Sequence, residues 1–328
     1  MKKTRLFALI LCAVMALCSL TFAQAEEKDS YLVGICQLVQ HDALDAATQG
    51  FEDRLGELME AAGKTVQFDY QNASGDSATC SVIANQFDAN GVDLIMANAT
   101  PALQACANAT SGSGIPVVAT SITDFGVALD IDMGPTDATG INVTGSNDLA
   151  PLASQAQQIL DLFPETKVVG CIYCSSEANS KFQVEGVKEA LNAQGIECNF
   201  YTFSDSNDIQ AVAQKAADEA DVIYLPTDNT VAANGAIIGE VCAAARTPII
   251  AGEEGIFKNT GAVATLSLSF YQIGQVAGEY AFEILVNGSD PAAMNIYQSD
   301  QLTYYYNADV AEAYGAIIPE DYTAYSFD

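Results

Sequence analysis

Residues 33–55, VGICQLVQHDALDAATQGFEDRL, and residues 169–191, VGCIYCSSEANSKFQVEGVKEAL, follow one plan. Each opens on a short apolar run, passes through a polar stretch and continues into a segment with apolar residues at helical spacing. Gly34 and Gly50 of the first match Gly170 and Gly186 of the second. Downstream, DLIMANATP from Asp93 matches DVIYLPTDN from Asp221, and IPVVATS from Ile115 matches TPIIAGE from Thr247. The offset stays between 128 and 136 residues, so the order of elements is kept. Three matches in register argue for an internal repeat.

Within each half the pattern is strand, helix, strand, helix, strand, helix, strand. The strands are short continuous apolar runs, as in a parallel sheet covered on both faces. The intervening segments at 43–62, 77–89, 180–194 and 208–219 alternate apolar and charged faces at the helical period. Crossovers of this length make right-handed βαβ units. The expected fold class is α/β, with two similar doubly wound parallel-sheet lobes joined by a three-stranded hinge and a ligand cleft between them. The segment AVATLSLSFYQIGQVAGEYAFEILVNG adds a strand and a helix, and QLTYYYN a further strand. The expected boundaries are 26–147 plus about 265–297 for the first lobe, and 148–264 plus about 298–328 for the second.

The chain opens MKKTRLFALILCAVMALCSLTFAQAEE, with a basic start, a short apolar run and Ala23-Gln24-Ala25 before two glutamates. Residues 1–25 are therefore expected to be an export signal cleaved after Ala25, which makes the mature protein exported, in the periplasm or at the cell surface. Lipidation at Cys18 is the alternative, set against a bulky Leu17 before it. The signal holds three of the 12 cationic residues and none of the 42 acidic ones, leaving nine cations and a formal charge of −33. Such a surface repels nucleic acid. A polyanionic ligand would want converging Arg or Lys forks, whereas these cations are scattered, so a zwitterionic or neutral small molecule is expected. Seven cysteines remain after cleavage, without a framework spacing, and read as small buried hydrophobes.

Ligands of open parallel sheets bind beyond the carboxyl ends of the strands. The segments there are QHD (40–42), ATP (99–101), TSITD (120–124), SSEANS (175–180), TDN (227–229) and GEEG (252–255), rich in hydroxyls and carboxylates. Free N–H groups of helix N-termini suit a ligand carboxylate, and Thr100, Ser121 and Asn179 can add donors. Asp228 can take an ammonium, and Thr227 and Ser176 are further candidates from their segments. Helix capping is the competing reading for Asp228, Thr227, Ser176, Asn179 and Ser121. His41 is expected to hydrogen-bond a loop or the ligand. Tyr173, with Phe125, Phe270 and Tyr271, is a candidate stacking surface.

Together HDALDAATQGF, DYQNASGDSAT, DLIMANATPALQA, SSEANS and PTDNTV resemble the solute-binding proteins of ABC importers that include tryptophan- and tyrosine-binding members, with the type I periplasmic-binding-protein fold. The resemblance implies an exported, monomeric receptor that closes over an amino acid and delivers it to a membrane permease. It also implies that Thr100, Ser121, Asn179 and Asp228 contact the amino acid's backbone. Two positions depart from the pattern: Asp42 stands where proline is usual, and Ser269 where an acidic or amide residue is expected.

The alternatives are a ligand-sensing protein for a membrane receptor and a binding protein for a sugar or nucleoside. No catalytic residue, metal or cofactor is expected: His41 is the only histidine, and no nucleophile or phosphate-loop motif accompanies it. In Cys171-Ile-Tyr-Cys174 the two thiols sit in a strand, where positions three apart face opposite sides, rather than at a helix start as in a redox pair.

Overall fold

The computed structural model describes residues 28–327. The expected export signal and Cys18 lie outside them. Twelve strands run in chain order: β1 (Ser30–Gln37), β2 (Thr65–Asn72), β3 (Leu94–Asn98), β4 (Val117–Ile122), β5 (Val143–Asn147), β6 (Val168–Cys174), β7 (Glu197–Phe203), β8 (Val222–Leu225), β9 (Ile249–Ala251), β10 (Ala264–Ser267), β11 (Thr303–Tyr306) and β12 (Thr323–Ala324).

They form two sheets, ordered β2-β1-β3-β4-β5 and β12-β11-β10-β9-β8-β6-β7. From β1 through β5 in the first sheet and from β7 through β10 in the second the neighbouring strands pair parallel, as do β11 and β12, whereas β10 pairs antiparallel with β11. In the centres of both sheets burial is nearly complete: every residue of β3, β4, β8 and β9 is buried. That is the consequence of helices on both faces, and it explains why these strands are continuous apolar runs rather than alternating ones. The expected α/β fold with parallel sheets in two lobes is what the chain adopts.

The repeat glycines have a packing cause. The helix Phe270–Leu285 lies against the helix Asp42–Ala61 so closely that a Cβ at Gly50 would meet Tyr271 O at 2.1 Å, and one at Gly274 would meet Ala47 O at 2.0 Å. In the second lobe a Cβ at Gly186 would meet Leu152 Cδ1 at 2.4 Å, where the helices Leu152–Leu162 and Ala178–Asn192 pack. Gly50 and Gly186 are thus equivalent close-approach positions in the two halves.

Three passages join the lobes. The first follows β5, since the helix Leu152–Leu162 buries Ala156, Ile159 and Leu162 in the second lobe's core. β10 joins the second sheet beside β9 before the helix Phe270–Leu285 packs Ala277 and Ala281 against Phe51 and Leu55 in the first. Residue 265 therefore falls inside β10, and the passage comes a few residues later. The third precedes β11, after Tyr297 has bridged to Ser146.

All seven cysteines of the described chain are buried and free. Cys171 packs in one core layer of the second lobe and Cys174 in the other, as their spacing along a strand requires. The Cys171 Sγ lies 3.4 Å from that of Cys198 on the neighbouring strand.

Candidate functional site

The loop after β1 is set by a polar network inside the first lobe. Gln37 Nε2 donates to Val39 O and to Asp45 Oδ1, at 2.8 and 2.6 Å, and Thr48 Oγ1 donates to Gln37 Oε1 at 2.6 Å. Asn98 Nδ2 donates to Leu44 O and reaches Thr48 Oγ1. His41 is left at the N-cap of the helix Asp42–Ala61 without capping it. Its ring faces the second lobe instead, with Nε2 3.3 Å from Asn229 Oδ1. Burial lowers the imidazole's pKa, against the pull of Asn229 and the carboxylates of Glu177, Asp45 and Asp42.

β3 and β4 end in backbone that side chains rarely adopt: Ala99 has φ 88° and ψ 155°, and Ser121 has φ 58°. Such positions cost on the order of 1–3 kcal/mol each and collect where a site needs a fixed shape. Ser121 is buried, and its Oγ has no protein partner.

In the second lobe carboxylates organise the loop after β8. Glu177 accepts from Asn229 N and Thr230 N, both at 2.9 Å, and from the side chains of both residues. Asp228 caps the helix Asn229–Ala233, with Oδ1 accepting from Val231 N at 2.8 Å and Oδ2 from Cys174 N at 2.7 Å. Burial drives the Asp228 pKa well up, and the charge of Glu177 adds to that, while the two N–H bonds oppose it. The Gln183 amide holds Thr227 from both sides, and Asn179 Nδ2 donates to Thr227 O at 3.0 Å. The Asn179 Oδ1 is buried without a protein partner.

These loops meet across the cleft. His41, Ser121, Asn179, Thr227 and Asp228 all line one cavity between the lobes. Its volume is about 10 Å³, about the space of one water, so the lobes are closed. Gln183 Nε2 reaches Thr123 Oγ1 of the first lobe at 3.4 Å, and Lys258 Nζ lies 3.8 Å from Asp42 Oδ2. A wider groove of about 330 Å³ runs alongside, between Leu38, Val39 and Ser74 on one lobe and Ser176, Ser206 and Thr230 on the other.

Three expected site residues stand apart from the inner cavity. Ser176 lines the outer groove. Thr100 is buried at the first turn of the helix Thr100–Thr110, next to Pro101, which lines that groove. The Tyr173 ring packs edge to face on Phe200 in the second lobe's core. Of the other aromatic candidates, Phe270 reaches the inner cavity, whereas Tyr271 is exposed and donates to Asp53. Ser269 caps the helix Phe270–Leu285, accepting from Gln272 N at 3.3 Å.

Sequence reasoning passed over Asp148, which lines the inner cavity with Glu253 of the GEEG segment, and Gln183, which positions Thr227. Burial pushes the carboxyl pKa of Asp148 up to about 6 and that of Glu253 up to about 7. The signal for Asp148 was present: it directly follows Asn147, the last residue of β5, at a strand end that is also a passage between lobes.

Two parallel-sheet lobes, joined by three passages and closed on a buried polar cavity, define a two-lobed solute-binding protein. The chain belongs to the family of ABC transporter substrate binding proteins, whose family model matches residues 32–328. It is 31% identical over 293 residues, 88% of this chain and 82% of the relative, to a tyrosine-binding protein of Clostridioides difficile strain R20291. It is also similar to an ABC domain from Streptococcus pneumoniae solved in complex with L-Trp, with 30% identity, a TM-score of 0.82, and 89% of this chain and 99% of that one covered. A third relative is a substrate binding protein with adhesive properties from Clostridium difficile, solved ligand-free and open, with 32% identity, a TM-score of 0.66, and 91% and 100% covered. At similar identity, the closed lobes described here superpose better on the L-Trp complex than on the open structure.

Proposed function

We propose that this protein is the extracytoplasmic receptor that captures an α-amino acid, aromatic by preference, closes its lobes over it and presents it to an ABC permease. The observation that carries this reading is the chemistry of the inner cavity. It has carboxylates but no Lys or Arg, and it has unpartnered buried groups at Ser121 Oγ, Asn179 Oδ1 and His41 Nδ1.

A ligand bearing an ammonium offsets the buried carboxylates, Asp228 among them, and its polar groups pair the orphaned atoms. An unpaired buried polar group costs about 1–3 kcal/mol, so the ligand's contribution is large. In this reading Ser121, Asn179, Thr227 and His41 contact the amino acid's backbone, and Phe270 with Ala43, Leu44 and Ala232 offers an apolar side. The relatives' names, tyrosine-binding and L-Trp-bound, agree with an aromatic ligand.

Calorimetry on mature protein, unfolded and refolded to strip ligand, tests this with the aromatic amino acids. Saturable binding at one site per chain is expected; heat only from a sugar or nucleoside would keep the fold and overturn the ligand.

A further inference from the structure

Of the three carboxylates on the inner cavity, two are already committed to backbone N–H groups. Asp228 accepts from Val231 N and Cys174 N, and Glu253 accepts from Gly255 N and Ile256 N. Asp148 differs. It is 6% exposed, and the one side chain that donates to it is Thr123, whose Oγ1 lies 3.1 Å from Asp148 Oδ1. Among the described residues no cation pairs with it. A buried carboxylate with so little compensation is costly unless it is paired, and no cationic side chain lines the cavity to pair it.

We infer that Asp148, at the first passage between the lobes, is the residue that receives the ligand's ammonium group, and that Asp228 shapes the neighbouring loop. This rests on the amine-bearing ligand proposed above. The raised carboxyl of Asp148, at about 6, agrees with it: without a cation beside it the group is held partly neutral by burial, and a ligand ammonium supplies the missing charge.

The position also connects ligand to closure. An ionised carboxylate only accepts, so Thr123 must point its hydroxyl proton at Asp148 and keep its lone pairs for Gln183 Nε2, 3.4 Å away on the second lobe. Gln183 in turn fixes both backbone groups of Thr227. A neutral Asp148 can donate to Thr123 and compete with Gln183 for those lone pairs. The ammonium thus favours the hydrogen-bond chain that spans the cleft.

The test compares wild type with Asp148→Asn by calorimetry on the refolded mature protein, using L-tyrosine, tyramine and 3-(4-hydroxyphenyl)propionate. The last keeps the ring and carboxylate but lacks the amine. The variant is expected to lose roughly thirtyfold or more in affinity for L-tyrosine and tyramine, the range for removing one partner of a buried charge pair. Its affinity for the desamino acid stays within about threefold, a difference under about 0.7 kcal/mol. Asp148→Ser makes the same comparison if the amide variant does not fold.

Undiminished L-tyrosine binding in the variant, or equal loss of all three probes, overturns the assignment while leaving the receptor reading in place. A wild type that binds neither L-tyrosine, L-tryptophan nor tyramine sinks both.

Discussion

Gln183 holds the backbone of Thr227 in both directions: its Oε1 accepts from Thr227 N at 3.0 Å and its Nε2 donates to Thr227 O at 3.1 Å. A residue from the middle of a helix thereby sets the loop after β8, and the same Nε2 reaches Thr123 across the cleft. Replacing Gln183 by Leu leaves Thr227 N without its partner in a half-buried site and Thr227 O with Asn179 Nδ2 alone, at about 1–3 kcal/mol for the orphaned N–H. The expected outcome is a lower melting temperature and at least roughly tenfold weaker amino acid binding, since about 1.4 kcal/mol lost from the closed state is tenfold in affinity. A stable variant with full affinity would contradict the role of the amide.

Asp228 joins the loop to β6 through Cys174 N and caps the following helix through Val231 N. Asp228→Ala removes both acceptors. A stability loss of about 1–3 kcal/mol is expected, read as a shift of several degrees in a melt of the ligand-free protein. Chemical denaturation checks it, and an unchanged midpoint would show that the two N–H groups find other partners at no cost.

Asp148 gives a pH signature. Its folded carboxyl lies at about 6, above its ordinary value of 3.8, so between those pH values the folded protein holds a proton that the unfolded chain has released. Stability from this group is therefore fully present below about pH 4 and is lost as the pH rises through about 6. Glu253 extends the trend toward 7, and His41 and Asp228 face the same cavity. Asp148→Asn cannot ionise, so without ligand it is expected to be more stable than wild type at neutral pH, by roughly 2–3 kcal/mol. The gap should close toward pH 4. Urea titrations at three pH values measure this; a gap that does not change with pH would contradict it.

Gly274 tests the helix contact between the repeat's first helix and the long helix after β10. A Cβ there meets Ala47 O at 2.0 Å, and backbone cannot yield as a flexible side chain does. Gly274→Ala is expected to destabilise by about 1–3 kcal/mol or more, despite alanine's better helix propensity. A melt at or above wild type would show that the helices can separate freely.

Much of this was legible before any coordinates. The repeat exposed the two lobes because each strand and helix recurs with its packing glycine, Gly50 in one half and Gly186 in the other. The strand-end rule brought His41, Ser121, Asn179, Thr227 and Asp228 to one cavity. What it could not supply was side-chain direction and depth. Tyr173 lies one residue from a strand end but packs on Phe200 in the core, and Thr100 is buried in the first turn of its helix, where Pro101 rather than Thr100 reaches the outer groove. Gln183 looks in sequence like any polar residue of an amphipathic helix; only the fold brings it under Thr227. Asp148 was hidden because its strand end was read as hinge rather than as cleft.

The most direct measurement is a thermal melt of the refolded, ligand-stripped mature protein against each of the twenty amino acids and a few sugars and nucleosides. Binding to the native state alone adds about 2.7 kcal/mol at 100 times the dissociation constant, enough to raise the melting temperature by several degrees. A selective rise with aromatic amino acids is expected. No rise with any amino acid, together with one from a sugar or nucleoside, would contradict the account of the cavity.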